Sequence, residues 1–255
     1  MNKRVRAVLL LGEDNLSKIV YHYIKDICKI EATIIEEPVP KRVVLLKRLK
    51  RKGIFRVIGE ILFIVFNTAF LKRLSKERIN EIVMYNNLNK EDIKNYIKVD
   101  SVNSDKVIDI LQDISPDIVI VNGTRIISPK VLHSIDIPFV NIHVGITPKY
   151  RGVHGGYWAL SQNDKKNCGV TIHLVDTGID TGDILYQDTI TLLPKDNFNT
   201  YPYLQIAKAL PLLKTVIEDI EKNSLKTVKN SLPSRIWTHP TLFEYIKYYI
   251  IYGVK

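Results

Sequence analysis

Three short apolar runs, VRAVLLLG (5–12), DIVIVNG (117–123) and IPFVNIH (137–143), constrain the fold more than any other feature. Each has an uncharged centre of strand length and ends in Gly or a polar residue, as strands buried on both faces do. Helical stretches lie between them, LSKIVYHYIKDI (16–27) and KVIDILQDI (106–114), and IEATIIEEP (30–38) reads as a second strand. Strands alternating with helices predict an open, twisted α/β sheet. The first turn carries no G-x-G-x-x-G, so a nucleotide held there would be held without that fingerprint. Downstream, ISPKVLHSI and GGYWALSQND read as short helices, CGVTIHLVD and DILYQDTITL as strands around TGIDTG. YLQIAKALPLLKTVIEDIEKN (203–223) has helical spacing, with Leu204, Ala207, Leu210, Leu213, Ile217 and Ile220 on one face and Pro211 expected to bend or start the helix. One main domain is expected over 1–190, with 41–98 a helical, basic insertion and 191–255 a C-terminal helical extension.

The chain has a net charge of +10, and residues 41–56, KRVVLLKRLKRKGIFR, hold eight Lys or Arg and no acid. Such a segment suits an anionic partner. It leads into GIFRVIGEILFIVFNTAFLKRL (53–74), whose apolar centre from Ile54 to Leu71 contains Arg56 and Glu60. Those two charges argue against a membrane span. The expectation is an inserted helix pair, with a surface-lying helix over 41–71 touching anionic lipid as the sharper reading. Two cysteines without a framework favour a reducing, cytoplasmic setting. The basic, briefly apolar N-terminus lacks a cleavage site and reads as the first strand.

Residues i and i+2 of a strand share a face, so Asn141 and His143 would stand side by side at their strand's end. His173 lies in GVTIHLVD, and VDTGIDTGD brings Asp176, Asp180 and Asp183 among glycines. Such a stretch is first of all a turn. It would also set a carboxylate at the mouth of the sheet, near the imidazole. Neutral amide, titratable ring and carboxylate suit a reaction that develops an oxyanion and moves a proton. The histidines lack H-x-x-x-H or C-x-x-C spacing, so no metal site is expected. No G-x-S-x-G or cysteine nucleophile is present either. The pattern points to transfer between two bound substrates.

From NIHVGITPKYRG (141–152) to GVTIHLVDTGIDTGDIL the chain resembles the formyltransferase family, which moves a formyl group from 10-formyltetrahydrofolate to a primary amine. The shared pattern is Asn-x-His, a Pro loop ending in Arg-Gly, Thr-x-His, and Asp-x-Gly: here Asn141 and His143, Pro148 with Arg151-Gly152, Thr171 and His173, Asp180 and Gly182. The resemblance implies a Rossmann-like sheet of the formyltransferase type and Asn141, His143 and Asp180 as catalytic residues, with protonated His143 and Asn141 donating to the oxyanion. It further implies His173 as a support. The folate would lie between NGTRIIS and the acidic turn, against Arg125, Ile126, Ile127, Val175, Asp176, Gly178 and Ile179. Gly145-Ile146-Thr147-Pro148 replaces the family's Ser-Leu-Leu-Pro, which alters the expected acceptor pocket around Thr147 and Arg151.

The turn Gly12-Glu13-Asp14-Asn15 lacks the Gly-Ser-Asn cradle of a glycinamide ribonucleotide enzyme, and its acids would repel phosphate. The 65 residues after position 190 hardly provide the barrel of a methionyl-tRNA enzyme, which disfavours nucleic acid. An amino sugar, nucleotide- or lipid-linked, is the expected acceptor, with the rings of His154 and Tyr157 in HGGYW stacking on it. A methionyl-tRNA-type transferase stays open beside it. So does a formyltetrahydrofolate hydrolase, which would release formate without an amine. A non-catalytic membrane-surface protein would require an idle trio. An oligomer contact would fit the Tyr-rich C-terminal helix.

Overall fold

Each buried run becomes a strand of one sheet in the computed structural model, which describes residues 4–255. The chain runs β1 (Arg6–Leu11), α1 (Asn15–Ile27), β2 (Lys29–Glu36), α2 (Lys41–Lys52), α3 (Ile54–Phe66), a π turn (Asn67–Leu71) and α4 (Lys72–Tyr85). It continues through β3 (Ile97–Val99), α5 (Asp105–Ile114), β4 (Ile118–Asn122), α6 (Pro129–Leu132), β5 (Phe139–His143) and β6 (Arg151–Gly152). Then come α7 (Gly155–Ser161), β7 (Gly169–Leu174), β8 (Ile184–Thr189), α8 (Tyr201–Glu221), β9 (Ile236–Trp237) and α9 (Leu242–Tyr252). The seven-stranded sheet has the order β3-β2-β1-β4-β5-β7-β8. Its first five strands are parallel, and β7 and β8 close it antiparallel. The order reverses at β1 and β4, which opens the crevice where ligands of such sheets bind.

Side chains alternate across the sheet. Ala7, Leu9 and Leu11 join Ile19 and Ile24 of α1 and Leu213 of α8 on one side. Val8 and Leu10 pack with Val107 and Leu111 of α5 on the other. Gly12 has no alternative: a Cβ there would fall 2.4 Å from the carbonyl oxygen of Gly123. A third cluster gathers Phe63, Tyr157, Trp158, Phe198, Trp237 and Tyr245 beneath α3 and α9.

Three expectations change. Residues 97–99 are the edge strand beside β2, so the helical insertion stops short of position 98. Helix α8 packs into the sheet's own core, so the packing shows no break at residue 190. That helix runs through Pro211 and starts at Thr200–Tyr201, burying Ile206, Ala209 and Val216 in place of the half-covered Leu204 and Ala207.

The insertion is α2 followed by one long helical path from Ile54 to Tyr85. Glu60 is fully buried on α3, with Lys52 Nζ at 2.5 Å and Arg48 and Arg56 at 3.7 Å. Arg56 continues to Glu244 of α9 at 3.1 Å. One buried carboxylate thus ties α2 to α3. Removing one partner of a buried pair costs ~3–5 kcal/mol because the other charge is stranded. Glu60→Ala should therefore lower thermal stability by an amount of that order, read by calorimetry, and more than Arg56→Ala, whose head is half exposed.

Candidate active site

The candidate residues meet at the carboxyl ends of β4 and β5. Antiparallel pairing sets Asn141 opposite His173 and His143 opposite Thr171. His173 Nδ1 lies 2.7 Å from its neighbour's carbonyl, Leu174 O. That contact makes Nδ1 the protonated nitrogen and Nε2 an acceptor. Asn141 Nδ2, 3.1 Å away, then donates to Nε2. The Asn141 amide is thereby oriented by His173, with its second hydrogen uncommitted.

Asp180 enters from the turn after β7. Its φ of +49° is left-handed, a conformation Asp tolerates better than most residues. Oδ2 accepts the Gly152 N–H at 2.8 Å and faces His143 Nδ1 at 3.5 Å. Oδ1 lies 3.7 Å from His173 Nε2. Burial pushes this carboxyl up, but the His143 charge, the His173 contact and the Gly152 N–H outweigh it and hold it at about 2. His143 is itself buried, and its Nε2 lies 2.7 Å from Tyr150 O. Burial drives the imidazole below its ordinary value, further than Asp180 and the Tyr150 carbonyl pull it back. The resting ring is therefore neutral at pH 7, where the sequence reading expects imidazolium. With Nε2–H donated to Tyr150, the Nδ1 lone pair and the Asp180 carboxylate face each other across a gap that can take one proton.

Two cavities share Asp180. The first, about 110 Å³, is walled by Thr124, Arg125, Ile126 and Ile127 on one side and by Val175, Asp176, Gly178 and Ile179 on the other, with Asn141, His173 and Asp180 at its polar end. All seven residues expected to contact folate line it. Arg125 does so without offering its guanidinium, which pairs with Glu36 at 2.6 Å and donates to the carbonyls of Asp100 and Glu37. Glu36, unnoticed in the sequence, also accepts the Arg125 backbone N–H at 2.5 Å and so pins this wall to β2. Asp176 caps its own turn, accepting from Gly178 N–H and the Thr181 hydroxyl.

The second cavity, about 310 Å³, opens beyond Asp180 between Thr147-Pro148 and residues 181–184, with Val228, Lys229 and Asn230 across it. Thr147 lines it: Thr171 Oγ1 receives its N–H at 3.1 Å, and Gln187 and Asn230 donate to its carbonyl. Lys229 and Asn230 were missed, since nothing in SLKTVKN marks them. Arg151 donates to Ile179 O at 3.1 Å and so braces the acidic turn. His154 and Tyr157 lie elsewhere. His154 Nε2 is 3.0 Å from His239 Nδ1 and its ring packs on Phe198, while Tyr157 is buried between Trp158, Phe198 and Tyr245. Tyr157 is core and His154 half-buried beside it, and neither lines the cavity.

A family model described as formyl transferase matches residues 33–207. The methionyl-tRNA formyltransferase of Finegoldia magna is 33% identical over 123 residues, 48% of this chain and 39% of that protein. The matched stretches span 29% to 51% of the length of such curated relatives. Glycinamide ribonucleotide transformylase 1 of Symbiobacterium toebii superposes with a TM-score of 0.57 at 16% identity, over 92% of this chain and 95% of that one. A sugar 3N-formyl transferase solved in the presence of dTDP and 5-N-formyl-THF gives 0.53 at 19% identity, over 92% and 70%. At these identities the structural likeness is one of fold. The family match, which covers more than half of the residues, carries the assignment: the chain belongs to the formyl transferase family.

Proposed function

We propose that this chain transfers a formyl group from 10-formyltetrahydrofolate to the primary amine of an amino sugar, nucleotide- or lipid-linked. The observation that carries this reading is the position of Asp180 between two cavities, with the Asn141 amide at the end of the smaller. The lining of that cavity suits the formyl-bearing end of the folate donor, with the rest of the molecule outside it: its walls are backbone turns, and its polar end holds one uncommitted amide hydrogen beside a carboxylate. The solved relative with 5-N-formyl-THF supports the same class of donor. When bound, the donor supplies the formyl carbon that the amine attacks.

The chain's own residues then have distinct tasks. Asn141 donates its free hydrogen to the oxygen on which charge develops. His173 keeps that amide from rotating. Asp180 receives the amine from the second cavity and stays ionised. His143, neutral behind it, is the basic member of the pair, so the proton leaving the amine lodges between Nδ1 and the carboxylate and passes to the donor nitrogen as that nitrogen's bond to the formyl carbon breaks. No bond to the protein forms, in keeping with transfer between two bound molecules.

The acceptor side favours a sugar over glycinamide ribonucleotide. At the first turn Asp14 accepts the Ser17 N–H and caps α1 itself, so this helix start is already occupied by a carboxylate. The identity to methionyl-tRNA formyltransferases keeps formylation of a charged tRNA as the second reading.

The first test is melting with and without 5-formyltetrahydrofolate, which should stabilise the chain by ~2.7 kcal/mol at a hundredfold excess over the dissociation constant. No shift at millimolar ligand would sink the donor assignment. Formylation is then assayed against amino-sugar nucleotides and charged tRNA, with formate release in the absence of amine scored as hydrolysis. Asn141→Ala should lose ~10²–10³-fold in rate, the usual cost of one oxyanion donor.

The pH dependence has a definite sign. Protonating His143 in advance fills the gap that must accept the amine's proton, so activity falls as pH drops through its depressed pKa. kcat should show an acid limb with its midpoint below 6.5. His143→Gln should abolish that limb and lower the plateau by ~10²–10⁴-fold, the range of general acid–base catalysis.

A further inference from the structure

We infer that the outer face of α3 and α9 is a docking surface for an anionic lipid bilayer. The inference is independent of the formyl-transfer reading.

The two helices are locked side by side. A Cβ on Gly59 would fall 2.9 Å from Thr241, Arg56 pairs with Glu244, and Phe63 and Phe66 pack against the ring of Tyr245. Only a narrow stripe of α3 faces inward: Val57, Glu60 and Phe63. The other faces stay apolar and bare. Phe55, Ile58, Leu62 and Val65, spaced three, four and three apart, stand in one row on the helix, and Phe55 is 88% exposed. On α9, Phe243, Ile246 and Ile250 form a similar row, with Ile250 74% exposed. The rows meet at a cleft of about 500 Å³ lined by Phe66, Leu71, Leu74, Ile246 and Tyr249, with Lys195 and Lys255 at its edge. An apolar surface of this extent, formed by two elements, marks an interaction site.

Charge chooses the occupant. Between Lys41 and Lys76 the chain carries eleven Lys or Arg and a single acid, Glu60, which is buried. Lys47, Lys50 and Arg51 are exposed on α2 ahead of the apolar helix, and Lys72, Arg73 and Lys76 are exposed after it. A second copy on this face would oppose cations to cations. An anionic membrane satisfies both halves, with headgroups on the lysines and the acyl boundary on the apolar rows. The helix from Ile54 to Tyr85 is long and apolar enough to cross a bilayer. Its inner stripe, however, is held in the protein by the Glu60 cluster and the aromatic core. It lies on the surface instead.

The test is flotation of the full chain with phosphatidylcholine vesicles and with vesicles that also contain phosphatidylglycerol. Binding should be at least tenfold stronger to the mixed vesicles and weaken with salt, since each cation near an anionic surface strengthens binding roughly fivefold. Leu62→Asp/Ile250→Asp and Lys47→Glu/Lys50→Glu should each lose at least tenfold in binding, with melting temperature and the folate-induced shift kept. Absence of binding to the mixed vesicles, or equal binding by both variants, overturns the inference. So does a dimer in sedimentation equilibrium that Leu62→Asp/Ile250→Asp dissolves, which would make this face a contact between copies. Protease protection of one flank of α3 with cleavage of the other in sealed vesicles would show a span and overturn it as well.

Discussion

The antiparallel pairing of β5 with β7 is the constraint on which the site depends. It sets Asn141 across from His173 and His143 across from Thr171. A slip of one residue would carry each side chain to the opposite face of the sheet. The same ladder positions the loop after β5, because Thr171 Oγ1 donates to Gly145 O at 2.7 Å and receives the Thr147 N–H. One strand therefore supplies both the ring that orients the Asn141 amide and the hydroxyl that holds the acceptor loop. The two sides of the site are kept in register by the β5–β7 ladder and by the Thr171 hydroxyl.

Two buried carboxylates and one half-buried one show what separates chemistry from architecture. Glu36 meets a permanently charged guanidinium and accepts the N–H groups of Arg125 and Val102. Glu60 is held by three cations. Both are matched by fixed charge and face no cavity that a substrate could enter. Asp180 accepts one backbone N–H, from Gly152, and its charge partners are two imidazoles at 3.5 and 3.7 Å; it stands against two cavities on a left-handed backbone. A carboxylate whose partners can change charge, held in an uncommon conformation beside open space, is the one placed to move a proton.

Local pattern made part of this legible. Period two showed that Asn141 and His143 share a face, and the Gly-Asp turn showed where Asp180 would lie. The short runs announced the strands of the central sheet. What depends on long-range pairing was hidden. The role of His173 as the acceptor for Asn141 follows from strand register, which no single run displays. Residues 97–99 form a three-residue edge strand after an irregular stretch, too short for periodicity to reveal. Helix α8 read as an extension because its core partners lie far back in the chain. His154 and Tyr157 were misread because aromatic residues after a functional loop look alike whether they face a ligand or a core, and here α3 and α9 cover them.

The two cavities differ in how sequence specifies them, and this bears on the acceptor. The donor wall is mostly main chain, residues 123–127 against 175–180, shaped by a positive-φ Gly123, by the Asp176 turn and by the Glu36 clamp. Such a wall is defined by where backbone can go, so a short motif announces it. The acceptor wall joins Thr147-Pro148 to Lys229 and Asn230, some eighty residues apart, through side-chain bonds to Gln187 and Thr147. Its chemistry is set by a segment that bridges to β8 at Val228 and lies outside the strands carrying Asn141, His143 and His173. On the proposed reading, a fold built this way can keep one donor while the amine it serves changes. The acceptor is therefore to be sought at Lys229 and Asn230 rather than in the motif that announces the donor.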